Sequence, residues 1–132
     1  MLIVGFAVVV MLLVGVVVDA SAAYLRRSGL DSLADGAALA AADGIEGSQV
    51  YEGSLGDRAE IDPSMARAFV ADYLAETGAA RRFPGLNVEV SASTERVAVR
   101  LAAPLELPIP PPGWVERPVV SGSAASFVLV SP

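Results

Sequence analysis

From Met1 to Val18 (MLIVGFAVVVMLLVGVVV) every position is apolar, with only Gly5 and Gly15 between the larger side chains. As a helix the run is about 27 Å long at ~1.5 Å per residue, close to the ~30 Å hydrocarbon layer of a bilayer. Valine favours strands, but strands rarely exceed about 10 residues, and in lipid a single helix satisfies its own backbone. Residues 1–18 therefore predict a transmembrane anchor. Polar residues begin at Asp19, yet the helical pattern continues. From Asp19 to Ala42 there is no proline, and Tyr24, Leu30, Leu33, Ala34, Ala37, Ala38 and Ala41 recur at helical spacing. One long helix over residues 2–42 is predicted, with its first half in lipid, its second half projecting, and Gly44 as its C-terminal stop. Gly29 and Gly36 lie seven apart, on one side of that helix, and predict a close approach or a bend there.

Residues 44–61 carry four glycines and few apolar side chains and read as a flexible loop, with a short hairpin about Glu52-Gly53. Asp62-Pro63 then opens a second helix, Asp at the N-cap and Pro at the first helical position. Its apolar stripe is Met65, Phe69, Tyr73 and Leu74, and Gly78 ends it. Arg81 to Gly85 is a connector. Leu86, Val88, Val90 and Ala92 alternate with polar residues, as do Val97, Val99 and Leu101, which predicts two strands about a Ser93-Thr94-Glu95 turn. Residues 103–118 are proline-rich and predict an extended crossing. A last strand, Val119 to Val130, places Ala125, Phe127 and Leu129 on one face. The expected fold is α+β and pilin-like in plan: a long N-terminal transmembrane helix, a short second helix and a small antiparallel sheet of about three strands. Residues 19–132 form one small domain on the anchor.

Composition narrows the function. The chain has 132 residues, a net charge of −6 carried wholly outside the anchor, and no Cys or His; all nine basic residues are Arg. An acidic body argues against nucleic acid as a partner. Without cysteine there is neither a disulfide framework nor a thiolate metal site. Without His, Cys or Lys the usual general bases and activated nucleophiles are missing, so no enzymatic activity and no cofactor are expected. Glu46, Glu52, Asp57, Glu60 and Asp62 match no EF-hand spacing and read as a solvated acidic loop. A secretory signal has a basic flank and a core of ~7–15 residues. Residues 1–18 have a longer core and no basic flank, although Asp19 to Ala23 retains an A-x-A-like cleavage site. The missing flank raises the expectation of a leader ahead of Met1.

The most specific residues follow the anchor. Asp19 closes the apolar span, Tyr24 comes five later, Arg26-Arg27 form a basic pair, and Ala34-Asp35-Gly36-Ala37-Ala38-Leu39-Ala40-Ala41-Ala42 completes the set. This order resembles the N-terminal segment of TadE/TadG-type proteins of the tight-adherence (Tad, or Flp) pilus systems. Gly36 stands where that pattern usually has Ala. The resemblance covers residues 1 to about 43, and the size of the body is nearer the TadE-like members.

The resemblance implies a structural subunit, a minor pilin-like component of a Tad-type pilus or its assembly machinery. Its partners would be the lipid bilayer, other pilin-like subunits and the assembly machinery, and its body would lie outside the cell membrane. Arg26 and Arg27 beside the span pull the other way under the positive-inside rule. Candidate interaction residues are Asp19, Tyr24, Arg26, Arg27, Ala34, Asp35, Ala37, Ala38 and Ala41, with Trp114 beside the Pro110-Pro111-Pro112 run as an exposed aromatic. The alanine run has two readings of equal weight: a contact between helices of neighbouring subunits, or packing on the chain's own sheet. The alternative function is an anchored binding module or adhesin that never enters a filament.

Overall fold

The computed structural model describes residues 1–52, 61–106, 108, 113 and 117–128. Three helices, α1 (Leu2–Glu52), α2 (Pro63–Glu76) and α3 (Ala79–Arg82), precede three strands, β1 (Asn87–Ser93), β2 (Arg96–Pro104) and β3 (Val119–Phe127). The strands form one antiparallel sheet in the order β1-β2-β3. The far half of α1 and all of α2 lie on one face of this sheet, α1 over β3 and β2 and α2 toward β1. The arrangement is α+β, as the residue pattern predicts.

The long helix runs further than expected. It continues through Gly44 to Glu52 instead of stopping at residue 42. Gly44 is no cap, because its φ is not positive. It is a seat: a Cβ there would lie 2.7 Å from the ring of Phe69 on α2. The expected loop at 44–61 is thus helical up to Glu52, and the hairpin expected about Gly53 falls outside the described residues.

The second helix starts as its sequence requires. Asp62 is the N-cap and accepts from the Ser64 backbone N–H at 2.8 Å and the Ser64 hydroxyl at 2.7 Å. These bonds hold the Asp62 carboxyl below the usual carboxylate range, with the Ser64 hydroxyl as the larger cause. The helix stops at Glu76, followed by Gly78 with φ of 66°. The connector at 81–85 begins as the last turn of α3. On α2 the buried positions are Ala66, Val70 and Leu74, while Met65, Phe69 and Tyr73 pack half-buried against the core.

In the sheet, Val97, Val99, Leu101 and Ala103 of β2 are buried against the helices. A two-residue turn at Thr94-Glu95 joins β1 to β2, and Ser93 pairs with Arg96. In the last strand Ala125 and Phe127 share one face, as expected, and that face is the outer one. Val120, Gly122 and Ala124 point inward, and Phe127 is two-thirds exposed. The reason is Gly122, where a Cβ would lie 2.5 Å from the Asp31 amide nitrogen and 2.6 Å from the Leu30 carbonyl carbon. Only glycine lets α1 come this close, so Gly122 fixes which face of β3 turns inward. Leu129 lies outside the described residues.

Candidate assembly site along the long helix

Among the described residues nothing buries the most apolar stretch of α1, and Leu2, Phe6, Leu12 and Val16 are each about two-thirds exposed or more. Such a surface is unfavourable in water by about 25 cal/mol per Å². The apolar half fits a single membrane anchor by length and composition.

Beyond Val18 comes a collar. Asp19 is half-buried, whereas Tyr24 and Leu25 are exposed. Aromatic residues of this kind are enriched where a helix leaves the bilayer. The Arg26 guanidinium lies 5.2 Å from the centre of the Phe83 ring, and that of Arg82 lies 5.5 Å from the same ring. Nε of Arg26 is buried with no hydrogen bond to the described residues, and the ring contact offsets its desolvation. Arg27 reaches back to Asp31 at 4.0 Å, an exposed i,i+4 pair of little energetic weight. Asp31 also accepts from the Ser123 backbone N–H at 3.3 Å, tying α1 to β3.

From Leu30 onward the helix is committed to its own domain. Leu30, Ala34, Ala37, Ala38 and Ala41 are fully buried. The alanines named as a contact between neighbouring subunits are covered by the chain's own sheet and α2, because only small side chains let those elements sit so near. They are not free to pack on a second molecule while this domain is folded. Asp35, in contrast, is exposed.

The glycines on the same helix receive aromatic rings. Phe83 sits over Gly29, Phe69 over Gly44, and the Tyr73 hydroxyl occupies the place a Cβ on Gly36 would take. Asp62 of the acidic loop caps α2, whereas Asp57, Glu60 and Trp114 lie outside the described residues.

Sequence reasoning passed over Phe83, Gly122 and the Asp31–Ser123 contact. Gly122 had a signal: a lone glycine within a strand pattern marks a close backbone approach. For Phe83 the only hint was a ring beside two arginines.

Residues 1–44 match the family model for Flp pilus-assembly TadE/G-like proteins. The N-terminal third of this chain is TadE/G-like. No curated protein matches the chain, and no solved structure matches it. The TadE/G-like segment spans the anchor, the collar and the buried alanine stripe. The departure at Gly36 lies within it and is filled by Tyr73 from outside it. A Tad pilus system is a structure of the cell envelope, and an apolar, uncovered helix half suits that setting.

Proposed function

We propose that this chain is a single-pass, pilin-like structural subunit, a minor component of a Tad-type pilus or of its assembly machinery. Its domain, residues 19–132, lies on the extracytoplasmic side, and it performs no catalysis. The observation that carries this reading is the division of α1. One uninterrupted helix offers an apolar half with no partner among the described residues and a second half locked into a small domain, and the TadE/G-like match spans the first and most of the second. Apolar side chains of the first half pack equally well against lipid or against sister helices, which suits a subunit that moves from membrane to assembly. The buried alanine stripe keeps the domain rigidly attached to that helix.

The test is fractionation of cells that express a C-terminally tagged full chain. Membranes and sheared surface filaments are blotted side by side. Signal in the filaments, and loss of pili on deletion, is the expected result. Signal confined to membranes of piliated cells assigns the chain to assembly or to an anchored binding module, and normal piliation after deletion overturns the reading.

A further inference from the structure

Two outward faces of the domain complement each other. On α1, Asp35, Leu39 and Asp43 are exposed in one row, with Leu39 at 55%. The two carboxylates are about 12 Å apart along the helix at ~1.5 Å per residue. On the other side of the domain, the outer face of the sheet carries Arg96 and Arg100 of β2, both exposed and about 14 Å apart at ~3.4 Å per residue. Between them is a floor of small side chains: Ala98, with Ser91 and Ala125 in register on either side. This floor is an open depression of about 430 Å³ between the two arginines. Glu89 faces Arg100 across the ladder without forming an ion pair, and among the described residues none of Asp35, Asp43, Arg96 and Arg100 has one.

We propose that a second copy of this chain docks its Asp35-Leu39-Asp43 row on the Arg96-Ala98-Arg100 face. The two aspartates pair with the two arginines, and Leu39 seats in the depression. The inference deepens the anchored-subunit reading and rests on it. A second copy is the occupant because acid–apolar–acid meets base–small–base at spacings that agree within about 2 Å, well inside the reach of an arginine side chain. The geometry also decides the kind of assembly. α1 covers the inner face of its own sheet, so its exposed row and the outer sheet face are two different patches of the domain. The contact is therefore heterologous, and such contacts propagate as open rows or rings instead of closing as two-fold dimers.

The natural chain has no cysteine, so disulfide trapping reads the contact directly. Full-length Leu39→Cys and Ala98→Cys chains with different tags are co-expressed in membranes and mildly oxidised. The mixed adduct is expected at ten-fold or more the yield of either self-adduct. Asp35→Arg with Asp43→Arg in the Leu39→Cys chain lowers the mixed adduct at least ten-fold, and Arg96→Asp with Arg100→Asp in its partner restores it. Self-adducts as abundant as the mixed one, adducts of Leu39→Cys only with other proteins, or indifference to charge reversal each overturn the interface. Carbonate resistance is scored on the same membranes. Extraction of the chain overturns the anchored reading and the interface with it, whereas a resistant chain without the mixed adduct overturns the interface alone.

Discussion

Leu13 and Leu30 lie on one unbroken helix, yet Leu13 is 60% exposed and Leu30 is fully buried. Hydrophobicity does not separate them; the arrangement of their neighbours does. Around Leu13 every direction is apolar, so no side is marked for the protein interior. Around Leu30 the helix has two sides, with Leu33, Ala34, Ala37, Ala38 and Ala41 inward and Ser32, Asp35 and Asp43 outward. A two-sided helix packs on its own domain, whereas one apolar all round requires lipid or other helices. The small residues of the second half contribute little buried area each. They act by admitting larger partners: Phe69, Tyr73 and Phe83 against the glycines, and the sheet against the alanines.

The sharpest way to break this contrast is to truncate each leucine. Leu30→Ala leaves a cavity in the core and is expected to cost about 2–5 kcal/mol of domain stability. In detergent that lowers Tm by on the order of 10 °C or more. Leu13→Ala leaves the same melting curve in place. Equal shifts from the two variants would mean that the anchor half is part of the domain after all.

A smaller effect separates close approach from helix propensity. Gly36→Ala gains up to about 1 kcal/mol as a helix former, but its methyl meets Tyr73, and overpacking costs about 1–3 kcal/mol. A net loss in a denaturant titration is expected, and Tyr73→Phe in the same chain recovers most of it. Stabilisation by Gly36→Ala alone would show that the hydroxyl does not occupy that space.

The smallest effect belongs to Asp62. Its folded carboxyl is held below the ordinary value by the Ser64 hydroxyl and backbone N–H. A depressed folded pKa contributes stability that is present above the unfolded value, about 3.9, and is lost as pH falls through the folded value. Asp62→Ala should therefore lower Tm at neutral pH, and the gap to the natural chain should close below about pH 4. A gap constant from pH 7 to pH 3 would remove the cap from the account. The anchor half should be indifferent to the same titration.

Much of this architecture was legible in the residues. The anchor needs only length and apolar content. The α2 start follows from Asp62-Pro63, and the β1–β2 hairpin from alternation about a short turn. The TadE/G-like resemblance rests on an ordered set within residues 1–44. Three features were not legible, for related reasons. Gly44 reads as a stop until Phe69 is seen resting on it. The alanine stripe suits two neighbours equally, and only the folded sheet shows which one has taken it. β3 alternates weakly because the central one of its inward residues is a glycine, so its phase depends on α1.

The sequence by itself determined that an apolar span precedes a small acidic α+β body, because transfer into lipid, helix capping and strand alternation act over short stretches of chain. Tertiary structure decided where the long helix ends, which face of β3 turns inward, and that the alanines are spent inside the domain while Asp35, Leu39 and Asp43 stay outside. Those outcomes depend on close approach between elements far apart in sequence, and small side chains record only that something comes near, not what it is.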